Sequence, residues 1–258
     1  MNMPNKILFL AGLLVAAGSL LTLPLFAETA AAPAESAEQV IQRLEENQVH
    51  ETARSEGRMI INDRFGEKVT TFKSWAAGDE KSLIEFTSRQ ERGQKILRTD
   101  DEIYLYFPDA AEVIRLQGAA LRDSVLGSDM SYEDMTGGKG LLEDYDAEML
   151  GTETLDGQEC YTIELKAKGR GVAYPKEIIW VDAEMYVTRR VHMFSLSGKL
   201  LKEMRMQDYV TRRGKTFPVR FIIEDKLKRN SSTEFVIETI EIGVDIPSSR
   251  FSLEELTW

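Results

Sequence analysis

The strongest constraint on this chain is a rhythm of short apolar runs joined by tight turns, densest between residues 95 and 116. That stretch reads KILRTDDEIYLYFPDAAEVIRL. Runs at 95–98, 102–107 and 112–116 are separated by Asp100-Asp101 and Pro108-Asp109, residue types that favour turns. Successive side chains of a strand point to opposite faces. Ile103, Leu105 and Phe107 therefore share one face, and Tyr104 and Tyr106 the other. Three strands with turns this short make an antiparallel meander, because a parallel crossover needs a much longer connection.

The same rhythm runs both ways from this meander. Upstream, runs at 57–61, 68–76 and 82–87 are punctuated by Gly66 and by Gly78-Asp79-Glu80, with Ile84 and Phe86 on one face of the third. Downstream, runs fall at 144–150, 159–166, 176–181, 186–194, 200–209, 217–225 and 233–242. Asp156-Gly157, Ser197-Gly198, Arg213-Gly214 and Asn230-Ser231 mark the turns between them. Tyr161, Ile163 and Leu165 alternate with Thr162 and Glu164, and Val191 and Met193 can share a face with Met204 and Met206. The expected class is mainly β (α+β): a single curved antiparallel sheet of about eleven strands, an unclosed half-barrel with a few helices on its concave face.

Two segments break the strand rhythm. Ser36-Ala37-Glu38-Gln39 has the form of a capping box before Val40, Ile41 and Leu44, which predicts a helix over 37–47. Residues 119–126 have helical spacing, Gly127-Ser128-Asp129 interrupts it, and 131–135 forms a second short amphipathic piece. Its apolar residues are Met130, Tyr132 and Met135, with Gly137-Gly138-Lys139-Gly140 beyond. A short helical excursion flanked by glycines reads as a movable cover over the sheet.

At the N-terminus, Lys6 precedes an almost wholly apolar run over 7–23, Pro24 breaks it, and Ala27 is a candidate cleavage residue. Residues 1–27 read as a secretory signal, with an uncleaved inner-membrane anchor as the alternative. Residues 28–35, rich in Ala, Pro and Glu, read as a disordered leader, and 36–258 as one domain. The single cysteine, Cys160, allows no intramolecular disulfide and lies within a strand-like run, so it is expected to be a packing residue. A net charge of −11 disfavours nucleic acid and anionic membrane surfaces as partners.

The pattern Ile96-Leu97, Asp100-Asp101 and Tyr104-Leu105-Tyr106-Phe107-Pro108 resembles the bacterial LolA/LolB lipoprotein-carrier superfamily. The segment LGSDMSYEDM over 126–135 is similar to the branch called outer-membrane lipoprotein-sorting proteins, and the resemblance extends from about residue 37 onward. It implies a monomeric periplasmic carrier or chaperone. Such a carrier takes lipidated protein or lipid cargo from an inner-membrane exporter to an outer-membrane acceptor. It also implies an arginine that latches the cover, for which Arg89, Arg92 and Arg98 are the candidates. The tail from Ile246 to Leu253 is similar to the superfamily's closing segment, whose Phe plugs the end of the sheet. The same fold serves envelope-stress regulators, so a lipid-binding sensor or adaptor is the second reading. The expected acyl-binding cavity is lined by Ile84, Phe86, Leu97, Leu105, Met130, Tyr132, Met135, Ile163, Trp180, Val191, Met193, Met204 and Met206.

Motifs for other chemistry do not stand out. His50 and His192 lie far apart in unlike contexts, and the sequence has no H-E-x-x-H, C-x-x-C or G-x-S-x-G pattern. No catalytic residue, cofactor or metal ligand is therefore expected. Asp129, Glu133 and Asp134 read as a solvated turn and polar helix face. Gly137–Gly140 lacks phosphate-loop spacing, and Arg212-Arg213-Gly214-Lys215 reads as a solubilised turn.

Overall fold

The computed structural model describes residues 35–99, 102–137 and 140–257. The run read as a signal, all of the residues read as a leader but Glu35, the expected Asp100-Asp101 turn and Gly138-Lys139 lie outside these residues. Glu35, expected to be part of a disordered leader, is held in place: it pairs with Arg43 at 2.9 Å and accepts from the Tyr186 hydroxyl at 2.6 Å.

The sheet follows from the sequence rhythm almost run for run. The strands are β1 (Ala53–Asp63), β2 (Gly66–Ala77), β3 (Lys81–Phe86), β4 (Lys95–Thr99), β5 (Glu102–Phe107), β6 (Glu112–Leu116), β7 (Tyr145–Leu155), β8 (Gln158–Ala167), β9 (Lys176–Asp182), β10 (Thr188–Phe194), β11 (Leu200–Arg212), β12 (Lys215–Asp225) and β13 (Ser232–Ile242). They form one sheet in the order β6-β5-β4-β3-β2-β1-β13-β12-β11-β10-β9-β8-β7. The sheet has 13 strands rather than about eleven, because every short run pairs, including the five-residue β4 and β6.

The first and last strands meet in the middle, with Ala53 opposite Ile242 and Asn62 opposite Ser232. This seam divides the sheet into an N-terminal half (β1–β6) and a C-terminal half (β7–β13). Both outer edges, β6 and β7, carry charged residues (Glu112, Arg115; Asp146, Glu148, Glu153), which discourage edge-to-edge pairing. Asp156 and Gly157, at φ 52° and 83°, give the double positive-φ turn expected between β7 and β8.

Gly57 sits at a register shift on the seam. A Cβ there would lie 2.2 Å from the Val236 carbonyl oxygen and 2.8 Å from the Phe72 ring. The bare backbone lets Phe72 stack on Phe235 (centroids 4.6 Å), which stacks in turn on Phe221 (4.9 Å). This aromatic ladder runs across the centre of the sheet.

Helix α1 (Ala37–Gln48) matches the predicted start and runs one residue past the predicted end. Its capping box is formed: Ser36 Oγ accepts from the Gln39 amide at 3.3 Å, and Gln39 Oε1 accepts from the Ser36 amide at 2.9 Å. Val40, Ile41 and Leu44 are completely buried against Ile163, Leu165, Ile179, Val181, Val191 and Met193 of the C-terminal half. Asn47 pins the far end by donating to the Met185 and Tyr186 carbonyls and accepting from the Thr216 amide.

On the opposite face, a 3-10 turn (Ser248–Phe251) and a one-turn helix place Phe251 and Leu256 on Leu83 and Leu97. Phe251 thus covers the outer face of β3 and β4 rather than plugging the end of the sheet as the closing-segment resemblance implied. Cys160 is fully buried, and burial pushes its thiol up to about 11, which makes it an inert packing residue. No helix among the described residues is long and apolar enough to cross a membrane.

Candidate functional site

The concave face carries two plugs, one on each half of the sheet. Helix α1 fills the C-terminal half. The segment from Gly118 to Thr136 fills the N-terminal half, through 3-10 turns at Gly118–Arg122 and Val125–Gly127 and the five-residue helix α2 (Tyr132–Thr136). The helix expected over 119–126 is therefore two separate turns. Asp123 is extended, and Leu126 and Gly127 take positive φ (52° and 84°), which a continuous helix does not allow. The loop is pinched shut where the Val125 amide donates to the Met130 carbonyl and the Tyr132 amide to the Asp123 carbonyl.

The underside of this cover is apolar. Val125 is fully buried, and Leu121, Leu126, Tyr132 and Met135 pack with it on Ile84, Phe86, Ile96, Ile103 and Leu105. Met130 is also buried. The void left between cover and sheet, bounded by Phe86, Ile96, Leu105, Phe107, Val125 and Tyr132, is about 10 Å³. The structure is thus closed over the expected binding surface.

Two expected lining residues lie elsewhere. Leu97 pairs with Leu83 and packs with Phe251 on the outer face, and Trp180 packs there with Leu155 and Cys160. Strand alternation accounts for both. Their neighbours Ile96 and Ile179 take the inward positions, so Leu97 and Trp180 must point outward. The remaining candidates divide between the plugs: Ile84, Phe86 and Leu105 lie under the cover, Met130, Tyr132 and Met135 lie within it, and Ile163, Val191, Met193, Met204 and Met206 lie around α1.

The cover is fastened by polar groups, contrary to the expectation of a solvated acidic face. Asp129 is 1% exposed. Its amide donates to Thr233 Oγ1 at 2.9 Å, while its carboxylate accepts from Ser231 Oγ at 2.7 Å and lies 3.3 Å from Lys228 Nζ. Asp134 closes the capping box of α2 on Ser131, accepts from the Tyr174 hydroxyl at 2.8 Å and pairs with Lys202 at 2.5 Å. A buried ion pair holds only when its remaining hydrogen-bonding sites are satisfied, and both carboxylates meet that condition. Arg98 Nη1 donates to the Thr136 carbonyl at 3.3 Å and to the Asp79 carbonyl at 2.9 Å. Of the three candidate latches, Arg98 is the one these bonds tie to the cover.

Beside α2 is a cavity of about 240 Å³, whose lining includes Glu133, Asp134, Asp144, Tyr145, Tyr174, Glu177, Met193 and Met204. The Tyr145 hydroxyl donates to Glu177 at 2.9 Å. Burial, reinforced by the Asp134 carboxylate, pushes Glu177 up to about 7, and burial raises Glu133 as well. A larger groove of about 1040 Å³ lies between the cover and the hairpin tips of the C-terminal half. Among the described residues, no cluster of His, Cys, Asp and Glu has the arrangement to hold a metal ion.

A family model described as "uncharacterized protein" matches residues 78–258. The chain belongs to that family. No curated protein matches significantly. Three solved structures share the fold. A DUF1329 family protein from Desulfovibrio piger superposes with a TM-score of 0.79 at 22% identity, over 85% of this chain and 97% of that one. A putative outer membrane lipoprotein-sorting protein domain from Vibrio parahaemolyticus gives 0.79 at 19% identity, over 86% and 98%. A LolA superfamily protein from Nitrosomonas europaea gives 0.74 at 24% identity, over 86% and 100%. The family's fold is therefore LolA-like.

Within that fold, the anchors Asp129, Asp134, Tyr174, Lys202 and Glu177 carry no local sequence signal for burial. Their partners lie far along the chain: 104 residues separate Asp129 from Thr233, and 68 separate Asp134 from Lys202. The one available hint was the Ser131-x-x-Asp134 spacing, which marks a helix start and hence an ordered turn.

Proposed function

We propose that the protein is a periplasmic carrier that binds acyl chains of lipoproteins or lipids on its concave apolar face and conveys them toward the outer membrane. The observation that carries this reading is the cover: a segment too short to be stable alone, lying with an apolar underside on an apolar sheet. An acyl chain fits the same surface. Each methylene buried there contributes about 0.8 kcal/mol, so a long chain can compete with the cover for Ile84, Phe86 and Leu105. Met130, Tyr132 and Met135 supply adaptable contacts for chains of differing shape. On the C-terminal side, Met193 and Met204 extend the apolar lining into the cavity beside α2, whereas Ile163, Val191 and Met206 pack around α1. The apolar run at 7–23, read as a secretory signal, supports a carrier outside the cytoplasm, with an inner-membrane exporter as cargo donor and an outer-membrane acceptor as destination.

The test is organic extraction of protein purified from envelope fractions, followed by mass spectrometry and a transfer assay to acceptor vesicles. Bound acyl species that move to the acceptor are expected. Bound lipid that never transfers would favour the sensor reading, and protein that neither carries nor binds acyl species would overturn both.

A further inference from the structure

The groove beside the cover differs in chemistry from the closed surface beneath it. Its apolar lining comes from the 167–175 loop and the β10–β11 and β12–β13 turns, and includes Val172, Leu196, Leu201 and Leu227. Leu196 is 92% exposed and Leu227 56%, and both face this one groove. The charged residues along the same groove are Arg122, Lys168, Arg170 and Lys202 against a single carboxylate, Asp225. In a chain of net charge −11, the groove lining carries four cations, of which Lys202 and Lys168 have carboxylate partners in Asp134 and Asp146, so its excess positive charge rests on Arg122 and Arg170. Lys202 is committed to Asp134, and Lys168 donates to the Leu142 carbonyl. Arg170 forms no ion pair among the described residues, and Arg122 donates only weakly, to the Val172 carbonyl at 3.3 Å.

We propose that this groove binds an anionic amphiphile, with Arg122 and Arg170 holding a phosphate headgroup and Val172, Leu196, Leu201 and Leu227 taking the first part of its chain. Guanidinium groups suit this task because they meet phosphate oxygens with paired donors. The groove volume of about 1040 Å³ is at the upper end of the roughly 300–1,000 Å³ usual for small-molecule sites. The inference rests on the carrier reading and deepens it, by naming the headgroup class and the place where cargo first rests.

Calorimetric titration of the full chain with oleoyl lysophosphatidic acid and with monoolein separates headgroup from chain, and inorganic phosphate serves as the headgroup-only control. The phosphate amphiphile is expected to bind at least about tenfold tighter than monoolein, since charge-assisted hydrogen bonds add about that factor. The double variant Arg122→Glu/Arg170→Glu should abolish the preference and leave monoolein binding unchanged. The exposed-tip variant Leu196→Asp, which leaves the core untouched, should weaken both. Equal wild-type affinity for the two amphiphiles, or a preference that survives the double variant, would overturn the groove assignment while leaving the carrier reading intact. Binding of neither amphiphile would overturn both.

Discussion

The two plugs on the concave face each bury apolar residues on the sheet, but they are held by different means. Helix α1 is a capped helix of 12 residues whose stripe of Val40, Ile41 and Leu44 disappears into the sheet. The cover has no helix longer than five residues and is fixed by two buried aspartates and by the Arg98 side chain. An apolar stripe is lost only by exposing it to water, at about 25 cal/mol for each Å². A charge anchor can be exchanged for water or for another ion. On the function proposed above, the helix belongs to the permanent core and the cover, despite its own apolar underside, is the part that leaves.

Substitutions on the two plugs should separate these roles. The largest effect is expected at the helix. Ile41→Ala removes a fully buried side chain and should lower global stability by about 3 kcal/mol, read from urea unfolding. A loss confined to local exchange over 37–48, with an unchanged unfolding midpoint, would break the contrast. Asp129→Ala comes next. It leaves Lys228, Ser231 and Thr233 without their shared acceptor and should open the cover by about 2 kcal/mol, seen as faster amide exchange over 121–137. Global unfolding should move far less than in Ile41→Ala.

The smallest effect is a pH dependence. Burial raises Glu177 from the ordinary 4.5 to about 7, so the folded state holds its proton more tightly than the unfolded state does. Its contribution is fully present below about pH 4.5 and is lost as pH rises through about 7. Glu133 and Glu45, also raised by burial, act in the same direction. Glu203, held down to about 2 by Lys226 and Arg205 against its own burial, stays ionised above pH 5 and does not enter this window. His50 and His192, lowered by burial from the ordinary 6.5, act in the opposite direction as pH rises toward 6.5. The Glu177 contribution is therefore isolated by difference: between pH 5 and pH 8 the wild type should lose stability relative to Glu177→Gln. An unchanged slope in the variant would remove Glu177 from the explanation.

Much of this arrangement was legible in the sequence. Strand runs, the turn dipeptides that fall among the described residues and the Ser36 capping box are local signals, and alternation or capping chemistry placed them closely. Inward-facing residues could be read within a strand, as Ile84 with Phe86 or Ile103 with Leu105. Which face is inward could not be read between strands, because that depends on register. Leu97 and Trp180 were misplaced for this reason. The buried anchors were hidden for a related one. An Asp in a polar run looks solvated until the chain brings Thr233 or Lys202 to it from the far half of the sheet. Gly57 carried its information silently, since what matters there is the missing side chain under Phe72.

The central claim is that the cover and an acyl chain compete for one surface while α1 stays in place. Amide hydrogen exchange of the full chain, with and without a long-chain lipid at saturating occupancy, tests it most directly. Residues 121–137 should lose protection when lipid binds, while 37–48 keep theirs. Unchanged exchange over 121–137 with lipid demonstrably bound would make the cover a fixed wall and contradict the claim.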